Sequence, residues 1–215
     1  MIGQRIGVRT LATRLIPNAS PGLCAALGVR EELRVLALIT TDCDDATYIA
    51  LDAATKAANV EVAYARSLYA GAANASTKLA GEVIGVLAGQ TPAEVRSGLN
   101  AALSVLDEVG FRTANEAGDV VYLAYCVSRT GSYLSELAHV PQGAPLAYLI
   151  APPLEAVYGL DAALKASAVE LKEFFAPPSE TNFAGGLLTG TESACKAACE
   201  AFAQAVCDIA SQPLR

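Results

Sequence analysis

Leu51-Asp-Ala-Ala-Thr-Lys-Ala-Ala-Asn-Val-Glu-Val62 returns later in the chain as Leu160-Asp-Ala-Ala-Leu-Lys-Ala-Ser-Ala-Val-Glu-Leu171, at a constant offset of 109. Eight of the twelve positions are identical, and the last exchanges one branched aliphatic for another. Downstream, Val86-Leu-Ala-Gly89 is answered by Leu187-Leu-Thr-Gly190, each followed by a helix start and an Ala-rich periodic run. Self-similarity at this scale marks one supersecondary unit written twice. The chain is therefore read as two domains, residues 1–112 and 113–215, joined in the stretch from Gly110 to Gly118.

Each copy has the same plan. Continuous apolar runs, Val35 to Thr40 and Leu146 to Ile150, predict buried strands. A helix follows in each copy. In the first, Asp42 to Asp45 supply capping and first-turn carboxylates, and in the second Pro152-Pro153 sets the entry. The expected buried stripes are Ala46, Ile49, Ala50, Ala53, Ala54 and Ala57, then Tyr158, Gly159, Ala162, Ala163 and Ala166. Stripes made mostly of alanine demand close approach of the helix to whatever it covers. A strand, a glycine-punctuated loop and another strand come next: Val60 to Tyr69 and Glu82 to Ala88, then Val169 to Phe175 and Ala184 to Thr189.

Thr91-Pro-Ala-Glu94 predicts a helix start with a capping box. Thr191 can cap the matching helix, but Ala194 stands where the Glu would be. Extra strand-like sequence precedes each copy, at Val8 to Ile16 and Val120 to Val127. The fold class is α/β or α+β, with one small antiparallel sheet per unit covered by helices.

Composition narrows the functions. Lys and Arg number 15 against 22 Asp and Glu, for a net charge of −7, which argues against nucleic acid or an anionic membrane as the partner. The chain is 53% hydrophobic with a mean hydropathy of +0.37, yet charged residues interrupt every apolar run before it reaches spanning length. A chain this apolar and this poor in charge is expected to bury surface against other subunits. Met1 to Arg14 carries three arginines and no uninterrupted apolar core, so no secretory signal is read.

The cysteines at 24, 43, 126, 195, 199 and 207 do not follow a disulfide-scaffold spacing and are read as reduced thiols standing in for small apolar residues. Cys195 and Cys199 share a helix face, but a zinc site needs two more ligands, and the single histidine, His139, has no His or Cys near it. No nucleophile and base pair, no metal cluster and hence no enzyme is read.

The repeated Asp-Ala-Ala-x-Lys-Ala-x-x-Val-Glu run, with its strand, glycine loop, strand and Ala-rich helix, resembles the bacterial microcompartment (BMC) shell domain. Two copies with strands placed before each core resemble the tandem, circularly permuted variety. Asp42-Cys-Asp-Asp-Ala-Thr-Tyr48, Tyr64-Ala-Arg-Ser-Leu-Tyr-Ala-Gly71, Ser128-Arg-Thr-Gly-Ser-Tyr-Leu-Ser135, Ala151-Pro-Pro-Leu-Glu155 and Pro177-Pro-Ser-Glu-Thr-Asn182 are similar to the ethanolamine-utilisation members, from about Arg9 to Pro213. The resemblance implies a homotrimer forming a pseudohexameric tile, packed beside other shell proteins in a cytoplasmic microcompartment. It implies metabolite passage through a gated central pore, with no catalysis, no required cofactor, no nucleic acid and no membrane. The alternative is a sensor or carrier with a BMC-like pocket for an amine or for cobalamin.

On the same resemblance, Lys56 and Lys165 match the lysine placed at the tile edge, whereas Ala88 and Thr189 stand where an edge arginine is often found. The central pore is expected at the glycine loops, with Tyr69, Gly71, Asn74, Ser76 and Thr77 from the first and Glu180, Thr181, Asn182 and Phe183 from the second. Asp44, Asp45 and Glu82 are candidate ligands for ethanolamine in a small acidic pore, because carboxylates form charge-assisted hydrogen bonds with an ammonium. An aromatic such as Phe111 or Tyr69 could add a cation–π contact. The competing reading gives Asp42 or Asp44 to the helix cap and Asp45 to the helix dipole. Arg66 and Arg129 are expected to pair with carboxylates at a subunit interface.

Overall fold

The computed structural model describes residues 1–67, 81–177 and 182–214. The chain packs as two compact units, and neither is a continuous stretch. The first holds residues 7–109 together with Gly131–Leu134. The second holds Met1–Ile6, Gly110–Thr130 and Ser135–Arg215. The division expected along the chain, 1–112 and 113–215, differs from this at three segments: 1–6 and 110–112 fall to the second unit, and 131–134 to the first.

In the first unit, β1 (Thr10–Ile16), β2 (Val35–Thr41), β3 (Val60–Ser67) and β4 (Val83–Gly89) form one sheet in the order β1-β2-β4-β3, every neighbour antiparallel. Helices α1 (Pro21–Leu27), α2 (Asp44–Ala57) and α3 (Pro92–Leu106) join the strands. The sheet is covered on both faces, which is why β2 is almost continuously apolar. On one face Leu36, Val86 and Ala88 pack with Ala19, Cys24, Val29 and Leu33 around α1. On the other, α2 and α3 lie over β2, β3 and β4. There a Cβ at Gly85 would sit 2.8 Å from Leu51 Cδ1 of α2.

The second unit contains β5 (Arg112–Thr113), β6 (Val121–Val127), β7 (Leu146–Ala151), β8 (Val169–Phe175) and β9 (Ala184–Gly190), in the order β5-β6-β7-β9-β8, again antiparallel throughout. Its helices are α5 (Pro153–Ala166) and α6 (Glu192–Ser211), while the short α4 (Ser132–Leu137) begins in the segment that packs with the first unit. The core joins Ala147, Leu149, Ala184 and Leu188 of the sheet to Ala156, Leu160, Ala163, Cys195, Ala198 and Phe202 of α5 and α6. The close approach that the alanine stripes call for is present: at Gly159 a Cβ would lie 2.7 Å from the Phe202 ring. All-antiparallel pairing makes the class α+β, which resolves the choice left open by the sequence.

The duplication extends to irregularities. The β3–β4 ladder slips between Val62 and Tyr64, and the β8–β9 ladder slips between Leu171 and Glu173, which is the same bulge at the same repeat offset. Gly28 and His139 occupy one equivalent position after α1 and α4, and both are left-handed, with φ 68° and φ 51°. His139 is thus the residue that ends α4, where its counterpart is glycine.

Thr91 closes the expected capping box with Glu94, and Thr191 caps α6 through the Ala194 amide alone. Two stripes need correcting. In α2 Ala57 is exposed, while Leu51 and Asp52 are fully buried, so burial there wraps beyond one stripe. In α5 Tyr158 and Ala166 are exposed, and the buried set is Ala156, Gly159, Leu160 and Ala163. Gly159 and Ala163 belong to both sets, but the stripe is centred toward Leu160 and not toward Tyr158, which suggested the inward face. No helix among the described residues is long and apolar enough to cross a membrane.

Candidate functional site

Three of the expected ligand residues meet at one corner of the first unit. Asp44 and Asp45 open α2, and Glu82 immediately precedes β4, with its amide donating to the Thr41 carbonyl at the end of β2 (2.8 Å). The sheet thus delivers Glu82 beside the first turn of α2. Asp44 and Asp45 are 7% and 9% exposed, an unusual burial for carboxylates. The N-terminus of α2, with its positive dipole end, offsets part of that cost.

The capping reading is not how this turn is built. The residue at the helix boundary is Cys43, whose side chain makes no cap bond. The Asp44 carboxylate accepts instead from the Asp45 amide (2.9 Å) and from the Ser67 hydroxyl (2.7 Å), which in turn meets Tyr48 Oη at 2.5 Å. Asp42 is engaged by Arg9, whose backbone amide donates at 2.7 Å and whose Nε lies 3.5 Å from the other carboxylate oxygen. The Thr41 and Thr47 hydroxyls lie 2.7 Å apart and both within bonding distance of the Cys43 carbonyl, so their two protons divide between that carbonyl and each other and steady the turn without carboxylates.

The electrostatics are those of crowded negative charge. Loss of water, then Asp44, then Asp42 raise the Glu82 carboxyl above its ordinary range. Cys43 is pushed far up by burial first and by Asp45 second, so a thiol at a helix N-terminus, ordinarily acidic, is inert here. Cys195, with burial as the main cause, is raised to about 11, and Cys199 is driven up by burial as well. These cysteines serve as core. Among the described residues no three His, Cys, Asp or Glu side chains are placed to hold a metal.

The other expected residues fall elsewhere. Phe111 belongs to the second unit and packs against Phe183 with ring centroids 5.3 Å apart, so a proposed ligand contact and a proposed pore residue form one aromatic pair. Asn182 is exposed, and Phe183 is half-buried. Tyr69, Gly71, Asn74, Ser76, Thr77, Glu180 and Thr181 lie outside the described residues.

Lys56 and Lys165 make the same pair one helical turn back. Lys56 Nζ is 3.2 Å from Asp52 and Lys165 Nζ is 2.6 Å from Asp161, but the lysines' side-chain exposures are 35% and 74%. Arg66 lies over the Tyr64 ring, 5.9 Å from its centroid.

Sequence reasoning missed Asp52. It is fully buried and accepts from the backbone amides of Gly131 and Leu134, both at 2.8 Å, besides its contact with Lys56. Thr55 Oγ1 accepts from the Ser132 amide (3.0 Å). The Asp was visible in the repeat, but its partners come from a segment about 80 residues away, which no local pattern discloses. A separate cavity of about 370 Å³ lies beside α1, lined by Pro21, Cys24, Ala25, Val29, Glu31 and Arg34. Arg34 there donates from Nε and Nη2 to the Ala19 carbonyl.

Residues 36–117 match the BMC domain. The chain is 65% identical over 215 residues to the bacterial microcompartment shell protein EutL of Clostridium perfringens, covering 100% of this chain and 99% of that one. The crystal structure of the ethanolamine utilization protein EutL from Leptotrichia buccalis superposes with a TM-score of 0.97 at 58% identity, covering 100% of both chains. A trimeric microcompartment shell protein, PduB, shares the fold at a TM-score of 0.75 and 21% identity, with 94% of this chain and 89% of that one covered.

Proposed function

From the premise that this chain belongs to the EutL family of bacterial microcompartment shell proteins, we propose that three copies close into a pseudohexameric tile with a gated central opening. The shell role is the family's, and 65% identity over the whole chain carries it. The tile would sit edge to edge with other shell proteins around a cytoplasmic compartment, passing small metabolites and catalysing nothing. A homotrimer suits the chain, since a duplicated unit presents six similar domains from three copies. It also suits an apolar, charge-poor composition that a lone chain leaves partly exposed, as at Leu154, Val157 and Tyr158. Sedimentation should return a mass near three times 22.1 kDa. A stable monomer at tens of micromolar would sink the tile.

For the small acidic corner we propose a protonated amine, ethanolamine, as the ligand of Asp44, Asp45 and Glu82. What supports this is the pair of buried carboxylates beside a third whose charge is penalised, because a bound ammonium would relieve both costs at once. Phe111 enters only as a proposed aromatic contact. In calorimetric titrations Asp45→Asn should weaken ethanolamine binding about tenfold, the worth of one charge-assisted hydrogen bond, with the sedimentation of the trimer unchanged. Equal affinity in the two proteins would reject the site. Edge roles for Lys56 and Lys165, and pore lining by the two glycine loops, complete the reading.

A further inference from the structure

We propose that Tyr48 and Ser67 are positioning residues of the acidic corner: the Tyr48 phenol sets the Ser67 hydroxyl, and that hydroxyl holds the Asp44 carboxylate in place for an ammonium ligand. This deepens the amine reading of the corner and rests on it for the ligand. The direction of the bonds follows from counting protons. A carboxylate only accepts, so the 2.7 Å bond between Ser67 and Asp44 uses the one proton that the Ser67 side chain has. The 2.5 Å bond between Ser67 and Tyr48 must then use the phenol proton. The donors therefore run from Tyr48 to Ser67 to Asp44, and that order cannot reverse while Asp44 is ionised.

The relay is anchored at both ends. Asp44 Oδ1 accepts from the Asp45 amide at 2.9 Å and Oδ2 accepts from Ser67, so each carboxylate oxygen has its own donor. Ser67 is the last residue of β3 and pairs with Val83 of β4, next to Glu82. Tyr48 stands one helical turn beyond Asp44 on α2, and its ring lies against Tyr133 with centroids 6.1 Å apart. Tyr133 arrives on the Gly131–Leu134 segment, which Asp52 and Thr55 fasten to α2 through three backbone amides. A strand, a helix and that segment thus converge on one carboxylate.

The repeat ties the relay to the acid. At the 109 offset Asp44, Tyr48 and Ser67 correspond to Pro153, Val157 and Ala176, and Phe183 precedes β9 where Glu82 precedes β4. The second copy keeps the helix and the strands. The carboxylate and the two hydroxyls that serve it are present together in one copy and absent together in the other. What the relay supplies is a carboxylate already in place. The Asp44 charge is felt at Glu82, where it helps to raise the carboxyl, and like charges this close push apart. Without its donors the Asp44 side chain would turn away from the others. A binding ammonium would then have to bring it back against the rotamer freedom it had gained. Held by two donors, Asp44 meets the ammonium without that cost.

The test is calorimetric titration of the full chain with ethanolamine, each variant's fold checked by circular dichroism. Ser67→Ala should weaken binding about tenfold, the loss of one hydrogen bond to a charged group. Tyr48→Phe keeps the ring against Tyr133 and removes only the hydroxyl, so a smaller loss of about threefold is expected. Ser67→Thr returns a hydroxyl on a residue suited to a strand and should bind within about twofold of the parent. Affinity lost in Ser67→Ala and not recovered in Ser67→Thr would assign the effect to packing and overturn the relay. Should Ser67→Ala fail to fold, Tyr48→Phe decides alone. A parent that binds ethanolamine no better than Tyr48→Phe does overturns the relay and leaves the amine reading standing. A parent that does not bind ethanolamine overturns both.

Discussion

Glu82 and His139 illustrate how much a single residue's environment adds to its identity. Glu82 stands next to Asp44 and Asp42, and its carboxyl is held above the ordinary 4.5, first by lost water and then by those two charges. A carboxyl whose folded-state pKa exceeds its unfolded one adds stability only while protonated, and that stability drains away as pH rises through the folded value. Glu82→Gln should therefore melt higher than the parent at pH 8 and level with it at about pH 4, below the unfolded value. A constant gap between the two melting curves would mean that charge is not the cause. His139, the single histidine of the chain, is the left-handed residue that ends α4. A non-glycine there costs about 1 kcal/mol, so His139→Gly should raise the melting temperature with no loss of assembly. A lower melting temperature would show that the imidazole makes a contact worth more than the strain. Neither environment was visible in the sequence, which shows which residues adjoin along the chain and not which charges adjoin in space.

At the level of the elements, strand and helix positions were legible because each is signalled locally. Apolar runs gave β2 and β7, and the Thr91 to Glu94 box gave the start of α3. The phase of α5 was only partly legible, because which face of a helix is inward depends on what lies across from it, and the large ring of Tyr158 stays 57% exposed while Leu160 is buried. The Asp in the quoted repeat makes the same point energetically. Asp52 and Asp161 share a sequence context and an i,i+4 lysine, but Asp52 is fully buried and receives two amides from Gly131 and Leu134. Removing one partner of such a buried set leaves the others unpaired at a cost of about 3 kcal/mol or more. An exposed pair is worth less than about 1 kcal/mol. Asp52→Ala should accordingly lower the unfolding free energy severalfold more than Asp161→Ala, as read from urea midpoints. Equal losses would show that the buried contact is not what distinguishes the copies.

Across the whole molecule, duplication sets the architecture and divergence sets the use. The two sheets, the paired bulges and the two lysine and aspartate pairs are common to both copies, whereas the acidic corner at Asp44, Asp45 and Glu82 belongs to the first alone. That division bears on how the tile edge is tested. Lys56 and Lys165 occupy the same place in the repeat, so by sequence alone a charge reversal at either is equally apt to break contacts between tiles. They are not equivalent, because Lys56 lies against the buried Asp52. A carboxylate placed there would put like charge beside a side chain with no access to water, so lost assembly could reflect lost folding. Lys165 is 74% exposed and its partner Asp161 59% exposed, so Lys165→Asp perturbs only solvated charge. In electron micrographs Lys165→Asp should abolish extended sheets while sedimentation still returns the trimer. Sheets that persist would reject the edge role. A trimer that falls apart would instead place Lys165 at the seam between subunits, one residue from Leu164, and that outcome would tie the lysine to the α5 face rather than to the rim of the tile.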